Sequence, residues 1–231
     1  DMILDLRLNL LDKYVKKFII TESTFLHSGN KKKLNFDIKN FSKFKDKIEY
    51  IVVDKPSPNI KEINESDNID LKNSKMLDNS LDRENYQRNE LINGIKNIDE
   101  NDLVLVSDVD EIPNLENFKY KNKITMFIQK MFYYKFNLMQ ENFPWLGSRS
   151  CKKKDLISCQ WLRNIKGKSY PFWRLDTFFS STKYTTIDLI PDGGWHFTCI
   201  KNPKELHYKL SNFLHHVEYQ ESGIRVDDIE N

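Results

Sequence analysis

The chain has 231 residues and lacks any apolar run near the ~18 residues that span a bilayer, which argues against a transmembrane helix. No secretory signal pattern opens it. It begins at Asp1 rather than Met, so a fragment is expected, with an upstream targeting segment outside it. Cysteine is scarce. Cys151, Cys159 and Cys199 make an odd count without metal-type spacing, which argues against a disulfide framework and a cysteine zinc site. Reduced thiols are expected, and with them a cytoplasmic setting; one disulfide with a spare thiol stays open. A dominant charge is also lacking. Thirty-six basic residues face 34 acidic ones, too even a balance to indicate nucleic acid. The lysine runs 31–33 and 152–154 read as solvated loops. There are no internal repeats.

What is present describes a folded protein. Hydrophobic residues make up 39% and charged residues 30%, enough for one substantial domain or two small ones. Leu4, Leu8, Leu11 and Val15 recur at helical spacing. Phe18 to Ile20 then form a short strand ending at Thr21-Glu22-Ser23. A polar loop follows at "FLHSGNKKKL", and a second strand at 48–53. Residues 55–80 read as a long loop or insertion. Ser80 is the expected N-cap of the next helix, whose face carries Glu84, Arg88, Leu91, Ile95 and Ile98. "LVLVSD" reads as a continuous apolar strand. "ITMFIQKMFYYKFNLM" is a longer one, and the stretch from Trp145 to Asp176 looks irregular. Gly193-Gly194 turns into a strand bearing Trp195 and His196, and a helix starts near Pro203. This order predicts an α/β fold with a mainly parallel central sheet flanked by helices.

The most informative stretch is "LVLVSDVDEIP", 103–113, where an apolar run ends in Asp108, Asp110 and Glu111. Ligands of open parallel α/β sheets bind beyond the carboxyl ends of strands. Clustered carboxylates repel one another unless a cation offsets them. Mg²⁺ or Mn²⁺ held by one or two carboxylates would do so, and would offer positive charge to a diphosphate. The plain alternative is that these acids cap the next element or face water. An EF-hand is excluded by the missing glycine and distal glutamate. Two enzyme classes place D-x-D after an apolar strand. Phosphohydrolases carry it on the first strand, and nucleotide-sugar glycosyltransferases of the GT-A type carry it mid-chain, as here.

The stretches "LDLRLNLLDKYVKKFIITES", "HSGNKKKLNF", "FKDKIEYIVVD", "ENYQRNELINGI", "DLVLVSDVDEIP", "GGWHFTCI" and "KLSNFLHHVE" together resemble glycosyltransferase family 17. That is the family of β-1,4-mannosyl-glycoprotein 4-β-N-acetylglucosaminyltransferase. The sequence departs from the family pattern at its first strand, which is absent, at "NKKKL", where a proline is missing, and at "NFLHHVE", which holds one extra residue. The resemblance implies one GT-A-like domain over 1–231, with a nucleotide-binding half at 1–113 and an acceptor and metal half at 114–231. It implies an inverting transfer of a sugar, GlcNAc first among them, from a UDP-sugar (UDP-GlcNAc) to a glycan hydroxyl. It further implies a nucleotide sugar and a glycan acceptor as partners, and no nucleic acid. Eukaryotic members are Golgi-luminal. A phosphohydrolase and a non-catalytic glycan- or nucleotide-binding domain are the competing readings.

Site roles follow from the resemblance. Asp108, Asp110 and His196 would hold Mn²⁺ or Mg²⁺, with Asp108 nearer the ribose or sugar. Glu111 would orient the site or touch the donor, unless it is simply a helix N-terminal acid. Glu22 and Ser23 would meet the nucleobase and ribose. His27, Ser28, Gly29 and Lys33 form a donor-side loop. Arg88 binds phosphate or holds the acidic loop, unless it is a surface pair with Glu84. Lys209 and His216 would offset leaving-group charge. Inversion needs a carboxylate base, for which Asp192 and Glu218 are the candidates.

Overall fold

The computed structural model describes residues 2–212, 219 and 222–230. The chain falls into two compact units built from interleaved segments. The first is Asp1–Phe18, Lys43–Lys47 and Gly94–Ile200; the second is Ile19–Ser42, Ile48–Asn93 and Lys201–Asn231.

In the first unit, helix α1 (Met2–Leu11) buries Ile3, Leu4, Leu8 and Leu11. The spacing of these residues makes one apolar stripe, the face a helix must cover. The unit's sheet runs in the order β3-β6-β5-β8-β4, with β7 also paired to β5. Here β3 is Leu103–Val106, β4 Glu111–Pro113, β5 Thr125–Tyr133, β6 Met139–Lys152, β7 Asp188–Ile190 and β8 Gly194–Thr198. The fold is therefore mixed α/β. The sheet is mixed too, and not mainly parallel as expected. β5 pairs in parallel with β7 and β8, while β3–β6, β5–β6 and β4–β8 are antiparallel. The reason is local. A tight turn carries β5 straight back as β6, with Tyr134 at positive φ and the Tyr133 amide donating to the Leu138 carbonyl, and a hairpin can only be antiparallel. The apolar run "LVLV" misled because such a run also suits a strand with one uncovered face. β3 pairs with one neighbour and leaves Leu103 exposed. The stretch from Trp145 to Asp176, expected to be irregular, opens instead with the end of β6 and the short helix α3 (Cys159–Asn164), capped by Ser158, and is irregular as expected over most of 165–176. Ile112, Ile124, Met126, Phe127, Leu162 and Ile165 are the fully covered core.

The second unit carries the pair of β1 (Phe18–Ser23) and β2 (Ile48–Val53) and the long helix α2 (Ile69–Asn89). α2 starts well before Ser80, inside the stretch expected to be a loop. Its N-cap is Asn68, whose side chain accepts from the Leu71 amide. The apolar residues of the first turns, Ile69 and Leu71, stand two apart and are exposed, so no hydrophobic period of 3.6 marked them. Ser80 is instead buried mid-helix, donating to the Met76 carbonyl one turn back and to the His27 carbonyl. Helix α4 (Pro203–Leu210) opens on a capping box formed by Asn202 and Glu205.

One glycine is dictated by the sheet. Gly194 has φ +122°, and a Cβ there would stand 2.1 Å from the Ile112 carbonyl oxygen. Gly194→Ala is expected to cost about 2 kcal/mol or more, through backbone strain and overlap with β4. Denaturant melts of the two proteins check this; an unchanged midpoint would refute the assignment.

Candidate active site

The acidic stretch leaves β3 at Val106 and turns over Asp108 to Asp110. The turn is closed by the Glu111 amide donating to the Asp108 carbonyl at 3.1 Å. Glu111 then enters β4 opposite His196 of β8. Its side chain points into the core and is wholly buried. There Oε1 accepts from Trp145 Nε1 and Arg163 Nη2, each at 2.8 Å. Oε2 accepts from Arg163 Nη1 at 2.8 Å and from the Asp108 amide at 3.2 Å. This is a forked guanidinium–carboxylate pair, strong and specific in geometry. Arg163 also donates to the Gly147 carbonyl at 2.7 Å and to Asp108 Oδ2 at 3.0 Å.

A second guanidinium holds the backbone of the same turn. Arg7, from α1, donates to the Ser107 hydroxyl and to the carbonyls of Asp108 and Glu111. Burial lowers the Arg7 pKa from its ordinary value, while Glu111, Asp108 and Asp110 pull it back up. Sequence reasoning gave a divalent cation the task of offsetting three clustered acids. Arg7 and Arg163 already supply much of that counter-charge. Neither was singled out beforehand, because they lie about a hundred residues upstream and about fifty downstream of the loop, with no local motif.

Asp110 and His196 come together. His196 Nε2 stands 3.5 Å from Asp110 Oδ1. The imidazole is buried and stacked on Trp145, ring centroids 4.8 Å apart. Its Nδ1 is buried without a hydrogen-bond partner. The Phe197 amide donates to the Asp110 carbonyl at 2.9 Å and fixes the loop against β8. One carboxylate oxygen and one imidazole nitrogen suit Mn²⁺ or Mg²⁺, provided phosphate and water fill the other positions. Among the described residues, no group of three or more His, Cys, Asp or Glu side chains is placed to hold a metal ion. Asp108 is turned instead toward Arg163. Asp192 lies on the turn before β8, at positive φ, its exposed carboxylate 3.0 Å from Lys130 Nζ. His216 and Glu218 lie outside the described residues.

The second unit assembles the other candidates differently. Both Glu22 oxygens are used inside the protein. They accept from the Asn35 and Phe36 amides, the Tyr50 hydroxyl and Lys32. Burial would raise this carboxyl, but Lys32 and the two amides outweigh it and hold Glu22 below its ordinary range. Glu22 thus pins the loop after β1. The His27 carbonyl accepts from Arg83 and Ser80 of α2. Gly29, at φ +95°, lies so close to the Arg83 guanidinium that a Cβ would overlap it. Ser28 accepts from Asn30, and Lys33 is exposed. Arg88 pairs with Glu84 at 2.6 Å, one turn away on α2. Lys209 lies in α4. A cavity of about 380 Å³ opens beside this loop, lined by Ser23, Phe25, Gly29, Lys55, Arg83 and Tyr86 among others. Phe25, Lys55, Arg83 and Tyr86 were not singled out in the sequence, although Tyr86 lies within "ENYQRNELINGI".

Residues 1–224 match the family model of Glycosyltransferase family 17, and the chain belongs to that family. No similar curated protein and no similar solved structure was found.

The buried fork makes a clear demand on stability. Arg163→Met leaves a buried carboxylate without its cation and is expected to cost about 3–5 kcal/mol. Urea unfolding measures it, and a loss under 1 kcal/mol would show that the fork does not hold the turn. Glu22 gives a pH test. Its folded pKa is depressed, so its contribution is complete above the ordinary carboxylate range and lost as pH falls through the folded value. Glu22→Gln should therefore flatten the acid limb of the stability–pH curve while leaving its alkaline limb unchanged.

Proposed function

We propose that this family 17 chain is an inverting transferase of GT-A-like fold. It would move a sugar, GlcNAc first among candidates, from a UDP-sugar to a glycan hydroxyl. The observation that carries the reading is the Asp110–His196 pair at the end of the acidic turn. Asp110 and His196 would hold Mn²⁺ or Mg²⁺, which when bound offsets the charge of the departing diphosphate. Glu111 is assigned as a positioning residue, because its oxygens are spent on Arg163, Trp145 and the Asp108 amide. Asp108, partly exposed, is assigned to the donor sugar or ribose. The acceptor hydroxyl attacks the anomeric carbon, the bond to UDP breaks, and a carboxylate takes the hydroxyl proton. Asp192 and Glu218 are carried forward as the candidate bases.

For the second unit we propose nucleoside binding in its own cavity. Phe25 and Tyr86 offer ring faces to a planar base, and Lys55 and Arg83 offer charge to a phosphate.

A second reading of the reaction rests on Arg7 and Arg163. Because they already offset the acidic turn, the turn keeps its shape without a metal; other side-chain cations would then serve the leaving group, and activity would persist in EDTA.

Calorimetry with UDP-GlcNAc separates these readings. With Mn²⁺ present, Asp110→Asn and His196→Ala should each weaken binding about tenfold or more, the loss of one charge-assisted contact. Equal binding with EDTA and with Mn²⁺ would favour the arginine reading. UDP binding that is unchanged in Phe25→Ala would remove the cavity assignment.

A further inference from the structure

Residues 166–183 of the first unit, "KGKSYPFWRLDTFFSSTK", take no part in the chemistry above. Phe172, Trp173, Leu175, Phe178 and Phe179 are between 69% and 91% exposed, all within eight residues. A contiguous apolar set of this size marks an interaction surface rather than ordinary surface scatter. The loop is built, not frayed. Its base is tied by the Lys166 amide to the Thr182 carbonyl, the Tyr170 amide to the Tyr184 carbonyl, and Trp161 Nε1 to the Ser181 carbonyl. Its tip turns over Leu175–Thr177, where the buried Thr177 hydroxyl donates to the Arg174 carbonyl at 2.7 Å.

A second observation concerns charge. Behind the apolar tip, the buried Tyr170 ring is ringed by cations. Lys168 Nζ, Arg174 Cζ and Lys183 Nζ lie 5.2, 5.3 and 5.8 Å from its centroid. One carboxylate, Asp176, accepts from Arg174 at 2.7 and 2.8 Å and from Lys183 at 2.6 Å. Positive charge is left over, and Lys166 adds to it.

We propose that residues 172–179 are an interfacial anchor for an anionic bilayer. The aromatic and leucine side chains would enter the boundary between headgroups and acyl chains, and the collar of Lys168, Arg174 and Lys183 would face lipid phosphates. An apolar tip backed by basic residues is the pattern that binds membranes without spanning them. A neutral glycan offers no apolar volume for Leu175 or for the adjacent Phe178 and Phe179, and gains nothing from the cationic collar.

Vesicle flotation tests this on the whole chain. The protein should float with phosphatidylcholine vesicles containing phosphatidylglycerol, less with phosphatidylcholine alone, and less as salt rises. Phe178→Ser/Phe179→Ser should lower the bound fraction about tenfold or more while leaving thermal unfolding unchanged, since both rings are exposed. Brominated lipid should quench Trp173 fluorescence, with Trp173→Phe identifying that signal. Lys168→Ala should weaken binding to anionic vesicles only. The proposal is overturned if anionic vesicles do not bind, if the double variant floats equally well, or if soluble oligosaccharide shields Trp173 while vesicles do not.

Discussion

The first unit depends on one buried ion pair. Glu111 sits at the start of β4 with no solvent contact, and a carboxylate there is tolerable only because Arg163 meets both of its oxygens. The pair does three things at once. It fixes the turn above it through the Asp108 amide. It orients Trp145, against which His196 stacks. It also ties the start of β4 to α3 and β6, beside the backbone pairing with β8 that sets Asp110 near His196. A hydrophobic replacement at 111 would spare the desolvation cost, but it would lose all three of these constraints.

The two arginines change the meaning of the acidic motif. Three acids in four positions looked like an uncompensated charge awaiting a metal. In the folded chain Glu111 is neutralised by Arg163, Asp108 shares that guanidinium, and Arg7 braces the backbone. Asp110 is the member that stands beside His196. The trio is thus divided into a buried acid, a shared acid and one set beside an imidazole, a distinction invisible in the string "DVDE" because its cause lies in residues far along the chain.

Much of the architecture was legible, and what was not has physical reasons. The stripe of Leu4, Leu8 and Leu11, the strand at 48–53 and the turn into β8 follow from local periodicity and glycine chemistry. Family membership was legible from the order of short motifs. Sheet direction was not, because "LVLV" is equally compatible with a covered and a half-covered strand. The start of α2 was not, because its first turns bury little. In the candidate site, Asp110 and His196 were named from residue type and place, and the fold brings them within 3.5 Å. Arg7, Trp145, Arg163 and the cavity residues Phe25, Arg83 and Tyr86 were not, since side chains recruited by tertiary contact leave no spacing to read. Glu22 was visible as a conspicuous acid at a strand end, but its bonds to Lys32, Asn35, Phe36 and Tyr50 were not, since they arise from tertiary contact.

The same long reach bears on how the protein is made. Arg7 and Glu111 are separated by 104 residues, and Arg163 lies 52 beyond Glu111. Closing such loops is slow relative to local helix or hairpin formation. During synthesis the acidic turn emerges well before the arginine that completes it. It must wait, with its carboxylates solvated, until α3 has left the ribosome. The shape of the acidic turn is therefore completed late in biogenesis, and a nascent or truncated chain ending before α3 would carry the motif without the guanidinium that holds it.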